Sequence, residues 1–317
     1  MAGRRVVVEA PSRLHFGIVD PFKKQGRRFI SAGVAIDYPR TRVVVEPCRD
    51  LEVVGCRASE VYEKINVLRT IYGDLRGRVI IEACTPRHVG LGSTTQLLLA
   101  ASTGLLYANN IHVDIVEVAR SLGLGKISGV GTYVFIHGGF IVDTGVYGEN
   151  YFPKLMTRLE IPREWAFIII TPRGEGLDEK RESEIFSSEF ETPRDLPWRA
   201  SYTLLTRLIP AIIDRDFQEF SHALRELQEV VGEMFSVFQG GVFTVKSAKY
   251  IDLLTKMGII GVGQSSWGPT VYGVVESMEK ALVLEAKLRE LVDQDALILT
   301  TSPRNKGAEV TIDSPYH

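Results

Sequence analysis

The residues whose types and spacing could do chemistry are densest in Thr85-Pro86-Arg87-His88-Val89-Gly90-Leu91-Gly92-Ser93-Thr94-Thr95-Gln96, a glycine turn that runs straight into an apolar stretch. From Leu97 the residues Leu98, Leu99, Ala100, Ala101, Leu105 and Leu106 make a helix apolar on nearly every side. Such a helix belongs inside a core, with its start facing something polar. Gly90 and Gly92 let the backbone turn and let a ligand come close. The free N–H groups of the first helical turn and the hydroxyls of Ser93, Thr94 and Thr95 can all donate to phosphate oxygens. An ordinary strand-to-helix corner with Ser93 as N-cap would satisfy the same residues. The turn is not a P-loop, since no Gly-Lys-Ser/Thr follows, and it lacks the third glycine of a dinucleotide fingerprint. In Gly123-Leu124-Gly125-Lys126-Ile127-Ser128 an isoleucine separates lysine from hydroxyl, which excludes a P-loop there as well.

Three further stretches carry polar chemistry. In Ala10-Pro11-Ser12-Arg13-Leu14-His15-Phe16-Gly17 an extended backbone projects Arg13 and His15 from one face and Leu14 and Phe16 from the other, so a cation and an imidazole share a surface. Asp20 and the basic residues Lys23, Lys24, Arg27 and Arg28 follow within one loop. The turn from Gly123 to Thr132 offers Lys126 and Ser128 as anion contacts, and it leads to His137-Gly138-Gly139-Phe140-Ile141-Val142-Asp143. The stretch Gly261 to Thr270 has donors and acceptors in Gln264, Ser265 and Ser266, and in Trp267 a flat face that can stack on an aromatic ring. The competing structural roles are a solvated edge strand, a surface lysine and a core tryptophan.

The elements expected to position these groups are strands at Val6–Ala10, Arg42–Glu46 and Val79–Ala83, a helix over Glu60–Tyr72, and a helix capped by Asp114 and ending at Ser121. Periodicity fades between Tyr147 and Pro162, which divides the chain into domains over residues 1–155 and 156–317. In the second domain Trp165–Thr171 reads as a strand feeding a charged loop with Arg173, Glu175 and Glu182. The apolar spacing of Phe217, Phe220, Leu224, Leu227, Val230, Val231 and Met234 makes an amphipathic helix. A further helix runs from Ser247, its expected N-cap, to Met257, with Gly258 at C′. Strands at Val271–Val275 and Ala296–Thr300 flank a helix over Met278–Val292, so both halves are α+β.

The bulk numbers exclude several classes. A chain of 317 residues with 45% hydrophobic content has room for two cores, and a net charge of -2 gives no general attraction to nucleic acid or an anionic membrane. No apolar run has the length of a membrane span and no signal-peptide core follows Met1-Ala2-Gly3-Arg4-Arg5, so a cytoplasmic protein is expected. Cys48, Cys56 and Cys84 form no CxxC pair and no zinc spacing, which argues against a disulfide scaffold. In a heat-adapted protein, toward which the sparse Asn and Gln lean, Cys48 and Cys56 could pair.

Taken in order, Ala10-Pro11-Ser12-Arg13, Pro86 through Thr95 and Gly263 through Thr270 resemble the three motifs of the superfamily that includes galactokinase, homoserine kinase and mevalonate kinase. The resemblance implies the GHMP-kinase-like two-domain fold, α+β, with a ribosomal S5 domain 2-like first domain and a ferredoxin-like second one. The aspartate that serves as base in mevalonate kinase and galactokinase relatives is replaced here by Gly131. A closer resemblance, spanning almost the full length, is to an archaeal branch of the superfamily, the β-ribofuranosylaminobenzene 5′-phosphate synthases. It rests on Arg13-Leu14-His15-Phe16-Gly17, His88 through Ser93 with Thr95-Gln96-Leu97, His137 through Asp143 and Gly263 through Thr270. The loop Gly123-Leu124-Gly125-Lys126-Ile127 departs from it, relatives tending to more arginine there.

That resemblance implies a decarboxylating transfer from phosphoribosyl pyrophosphate to 4-aminobenzoate or 4-hydroxybenzoate, an early step toward methanopterin-type cofactors, by a homodimer with Mg²⁺ and no organic cofactor. Within it Arg13, His15 and Lys126 are expected to act catalytically, Gly90, Gly92, Ser93, Thr94 and Thr95 to hold diphosphate, and Asp20 and Asp143 to contact the metal. Gln264, Ser265, Ser266 and Trp267 are expected to hold the aromatic substrate. No base is needed to activate a hydroxyl, which suits the missing aspartate. The alternatives are an ATP-dependent small-molecule kinase and a ligand sensor without catalysis.

Overall fold

The computed structural model describes residues 4–22, 26–148, 151–174, 176–177, 179–188, 190 and 192–313; Lys23, Lys24 and Glu175 of the sequence reading lie outside them. The first half runs β1 (Arg5–Ile18), β2 (Ser31–Glu46), β3 (Leu51–Gly55), α1 (Ala58–Tyr72), β4 (Gly77–Ala83), α2 (Ser93–Ala108), α3 (Ile115–Ser121), α4 (Val130–His137), β5 (Phe140–Asp143) and β6 (Leu155–Leu159). The second runs β7 (Ala166–Thr171), α5 (Glu179–Phe186), α6 (Asp195–Thr203), a π-helical turn (Leu204–Leu208), α7 (Ile209–Asp214), α8 (Phe217–Gln239), α9 (Val245–Lys256), β8 (Val262–Gln264), β9 (Val271–Val275), α10 (Met278–Leu288), β10 (Leu297–Thr301) and β11 (Glu309–Asp313).

The larger sheet has the order β11-β1-β2-β4-β3, with β5 and then β6 attached along the start of β2. The smaller sheet has the order β10-β7-β9-β8. With α5–α9 between β7 and β8, and α10 between β9 and β10, this is the ferredoxin-like pattern expected of the second domain. The cut at residue 155 needs correction, because β6 pairs with β5 as far as Leu159 and β11 returns to pair with β1. Backbone pairing, which the sequence does not display, carries the C-terminus back to the first sheet. Buried Arg304 fastens that return through Asp37 and Glu309, each at 2.8 Å.

Helix α2 is buried along almost its whole length, as its apolar composition requires, and lies on β1 and β2. It comes close because residue 104 is glycine: a Cβ there would meet Val45 Cγ2 at 2.9 Å and Val8 Cγ2 at 3.4 Å. Capping differs from expectation at both special helices. Gly92 in the left-handed region (φ 71°), not Ser93, precedes α2, and Thr244, not Ser247, caps α9 by accepting the amide proton of Ser247. Asp114 does cap α3, accepting from Val116 at 2.7 Å. The charged stretch after Thr171 contains α5 rather than loop alone.

The cysteines also need correction. Cys56 and Cys84 form a disulfide, with Cα atoms 6.4 Å apart, and Cys48 is free. The bond joins the ends of parallel β3 and β4, a neighbourhood that sequence distance conceals. Gly104→Val should lower unfolding stability by about 1–3 kcal/mol through overpacking of α2 against β1 and β2. A denaturant midpoint equal to the parent's would contradict that packing.

Candidate active-site cleft

A cleft of about 590 Å³ lies between the two halves. One wall comes from β1, the start of α2 and the Gly123–Ser128 turn, the other from α5, α8 and the Gln264–Trp267 loop. The three motifs meet at its floor. Arg13 donates its amide proton to the Leu91 carbonyl at 3.1 Å, and Thr270 donates to Val89 at 3.3 Å. The hydroxyl of Ser265, wholly buried, accepts from the His15 amide at 2.9 Å and donates to the Gly90 carbonyl at 2.6 Å. Ser265 is therefore a clamp between the motifs rather than the substrate contact expected of it.

The two glycines of the turn face protein. A Cβ on Gly90 would stand 2.4 Å from the Ser265 carbonyl oxygen, and one on Gly92 would stand 2.7 Å from Arg13 Cγ. Close approach is required there, but by Ser265 and Arg13 rather than by a ligand, and neither glycine lines the cleft. Thr94 and Thr95 do line it, whereas Ser93 is buried and lies outside the lining. The Thr94 hydroxyl accepts from Arg57 at 2.7 Å, and Arg57 is itself held by both oxygens of Glu60 at 2.8 Å. Sequence reasoning missed Arg57, since nothing before the fold brings it near the turn.

Arg13 crosses this floor with one guanidinium nitrogen on the Gly90 carbonyl at 2.8 Å, while its Nε is buried without a hydrogen-bond partner. Burial pulls its pKa down to about 10, and Glu182 pulls the other way, so the group is still a cation at neutral pH. Lys126, Lys64 and Arg28 line the same cleft and have no ion-pair partner among the described residues. A half-buried cation with its buried Nε unpaired and further cations around it favours an anionic ligand.

His15 is buried beside Arg13, and both ring nitrogens are engaged. Nδ1 accepts from the Gly17 amide at 3.2 Å, which leaves Nε2–H to point at Ser128 Oγ at 3.3 Å. The Ser128 hydroxyl in turn donates to Asp143 Oδ2 at 3.2 Å. Burial first, and the Arg13 charge second, hold the imidazole pKa well below its ordinary value. The neutral ring orders this end of β1, and the catalytic role expected of it has no free nitrogen to act through in this arrangement.

Asp143 accepts from the amides of Ser31, Gly129 and Gly145 as well as from Ser128. Burial pushes its pKa up to about 6, against the pull of those four donors. With both oxygens so engaged it does not fit the metal-ligand role expected of it; it organises the Gly123–Ser128 turn instead. Asp20 is not among the cleft-lining residues, and among the described residues no group of three His, Cys, Asp or Glu side chains is arranged to hold a metal.

At the other end, Gln264, Ser266 and Trp267 line the cleft as expected. The Trp267 indole N–H donates to Glu182 at 2.9 Å, and its ring meets Phe235 edge-on at 4.8 Å and Phe186 at 6.1 Å. The Gln264 amide is occupied by Thr244, Ser266 and Gln239, so it shapes the loop. Phe186, Phe235, Gln228 and Val231 complete this wall. Those on α8 escaped the sequence reading because a residue lining a cleft and a residue lining a core share the same helical spacing.

Two consequences can be measured. Ser265→Ala leaves the buried His15 amide and Gly90 carbonyl without their partner, and should cost about 1–3 kcal/mol of stability; an unchanged unfolding free energy would count against the clamp. For His15 the depressed folded pKa gives a sign. Its contribution is complete above the unfolded pKa of 6.5 and is lost as pH falls below it. The stability advantage of the parent over His15→Asn should therefore shrink from pH 7 to pH 5, with a slope of at most about 1.4 kcal/mol per pH unit. A gap that stays constant or widens would refute the neutral, buried imidazole.

Comparisons with known proteins agree with this geometry. Residues 208–294 match the family model described as GHMP kinases C terminal. The chain is 29% identical to β-ribofuranosylphenol 5′-phosphate synthase of Methanothermobacter thermautotrophicus, covering 96% of this chain and 98% of the relative. It is 25% identical to the protein of the same name from Archaeoglobus fulgidus, covering 96% and 99%. Homoserine kinase from Cytophaga hutchinsonii superposes with a TM-score of 0.69 at 16% identity over 97% of both chains. Mevalonate diphosphate decarboxylase from Staphylococcus aureus does so with 0.66 at 15% identity over 97% and 98%. The molecule thus has the GHMP-kinase fold, and its sequence relatives along nearly the whole chain are β-ribofuranosylphenol 5′-phosphate synthases.

Proposed function

We propose that this protein is a decarboxylating phosphoribosyltransferase, joining phosphoribosyl pyrophosphate to a 4-substituted benzoate to give a β-ribofuranosyl arene 5′-phosphate, CO2 and pyrophosphate. The observation that carries the reading is the pairing, in one cleft, of a half-buried guanidinium whose buried Nε lacks a partner with an aromatic wall around Trp267. The relatives' names carry a phenol, which favours 4-hydroxybenzoate over the amino acid as substrate. The setting is cytoplasmic synthesis of a methanopterin-type cofactor, with no part for nucleic acid or membrane; no described helix is long and apolar enough to cross one.

In this reaction the ribose C1–O bond to diphosphate breaks, and the electron pair leaves with pyrophosphate. The ring carbon bearing the carboxylate attacks C1. Loss of CO2 then returns the carboxylate bond pair to the ring and restores aromaticity. Arg13, Lys126 and the first N–H groups of α2 stabilise the charge that collects on the leaving diphosphate, and Thr94 and Thr95 orient it. Trp267 and Phe235 hold the ring and exclude water from the cationic ribose centre. Mg²⁺ bound with the diphosphate would neutralise further charge, but Asp143, with both oxygens taken by hydrogen-bond donors, does not fit as its ligand.

The purified protein should release pyrophosphate from phosphoribosyl pyrophosphate only when a benzoate is supplied, and should form no ADP from ATP with candidate alcohols. The reverse pattern would establish a kinase, and binding of phosphoribosyl pyrophosphate without any product would establish a sensor. Arg13→Ala should lower kcat by about a hundredfold. Trp267→Ala should raise the benzoate KM about tenfold while changing that for phosphoribosyl pyrophosphate less. Equal effects on both substrates would make Trp267 scaffold.

A further inference from the structure

Helix α1 carries no residue that the sequence marks for chemistry, yet its start stands against the anion-binding floor of the cleft. Arg57, the residue before it, holds the left-handed backbone region (φ 56°, ψ 27°) that non-glycine residues seldom adopt. Its side chain and that of Glu60 are only 11% and 13% exposed. The guanidinium lays Nε and Nη2 on the two oxygens of Glu60, each at 2.8 Å, and Arg87 reaches Glu60 Oε2 at 3.0 Å. Burial pushes the Glu60 carboxyl up, but Arg57 first and then Arg87 outweigh it and hold the group below the ordinary carboxylate value. Glu60 is therefore ionised and matches the charge of Arg57, whose planar fork is locked in direction. The second proton of Nη2 points at Thr94 Oγ1, 2.7 Å away. Lys64, one turn after Glu60, lines the cleft, so this end of α1 borders it.

The direction of that hydrogen bond decides what Thr94 can do. An arginine only donates, so the threonine oxygen is the acceptor and the hydroxyl proton must go elsewhere. A threonine in a helix commonly returns it to the carbonyl four residues back. For Thr94 that carbonyl is Gly90, whose oxygen already accepts from Arg13 Nη1 at 2.8 Å and from Ser265 Oγ at 2.6 Å. The carbonyl three back, Leu91, takes the Arg13 amide. Among the described residues nothing accepts the Thr94 proton, and Thr94 lines the cleft. We infer that Arg57 is a positioning residue of the anion site: through its bond to Oγ1 it makes the Thr94 hydroxyl an obligate donor, aimed at a phosphate oxygen of the ligand. Donation from a cation also polarises that hydroxyl and strengthens the bond it gives. Arg57, Glu60 and Arg87 do not line the cleft, so their effect on a ligand passes through Thr94. The inference rests on the phosphate-binding part of the reading above and on none of its bond-making steps.

The test is titration of the full chain with inorganic pyrophosphate, read as Kd by calorimetry, over the parent, Arg57→Gln, Thr94→Val and the double variant. Glutamine is too short to reach Thr94 but can still bond Glu60. Arg57→Gln should raise Kd about tenfold, the worth of one hydrogen bond to a charged group. In the Thr94→Val background the same substitution should change Kd by less than about twofold. A residue that only staples α1 to α2, or that attracts the anion by its charge, gives the same factor in both backgrounds. Equal factors, or an Arg57→Gln protein that binds as the parent does, would overturn the inference, as would a parent that binds no pyrophosphate. If circular dichroism shows Arg57→Gln unfolded, Arg57→Met takes its place in the cycle and is read in the same way. A parent that binds pyrophosphate but releases none from phosphoribosyl pyrophosphate and a benzoate would sink the proposed reaction and leave the role of Arg57 to be decided by the cycle.

Discussion

The hydroxyl of Ser265 takes the amide proton of His15 and gives its own to the carbonyl of Gly90, so three segments distant in sequence are fixed at one buried atom. Buried backbone groups must find partners, and at this junction several find them in another of the three segments. The Arg13 amide goes to Leu91, and the Thr270 amide to Val89. Each segment leaves its own secondary structure incomplete in a way that the next one completes. This explains why Gly90 carries no side chain: the Ser265 carbonyl occupies the volume a Cβ would need. The cleft is the space left above that junction, and its two walls therefore belong to different halves of the chain.

The junction also sorts the charges. Arg13 is held with its aliphatic stem against Gly92 and its Nε without a partner, whereas the adjacent His15 is held neutral by burial and by that same cation. Asp143, the carboxylate that could have neutralised this end, is drawn instead into the amides of Ser31, Gly129 and Gly145. The cleft thus keeps its positive charge where the α2 amides point and places Glu182 near the aromatic end, on the Trp267 indole. A ligand with a phosphate-rich end and a planar end would match both poles, which is a statement about chemistry that the fold alone does not make.

Much of this was legible in the sequence, and the limits have physical causes. The turn into α2 was readable because a glycine corner followed by all-round apolarity has few other solutions, and Arg13 and Trp267 stood out as residues too polar or too large to be filler. The reason for the glycines was not readable, since a glycine looks the same whether a ligand or a serine carbonyl approaches it. The three amide donors of Asp143 come from segments that only the folded sheet brings together, so in the sequence it reads as a free carboxylate. The partners of the Ser265 hydroxyl, His15 and Gly90, are hidden from the sequence in the same way. Likewise the Cys56–Cys84 bond follows from parallel pairing of β3 with β4, and the domain cut missed the return of β11, neither of which leaves a local signal.

The position of Gly131 ties the packing to the chemistry. Its carbonyl accepts from the Gln96 side chain at 2.8 Å, and a Cβ there would stand 3.1 Å from Thr95 Cγ2 and 3.4 Å from Thr95 Oγ1. An aspartate at this site would press its Cβ against a threonine that lines the cleft at the start of α2, which would have to give by a few tenths of an ångström. It would also put a negative charge beside the amides suited to an anion, weakening the attraction they supply. A kinase accepts that cost when it needs a base to activate a hydroxyl. A ring carbon attacking a ribose centre has no proton to lose on the way in, and the glycine lets α4 sit close against α2 while the positive end of the cleft keeps its full field.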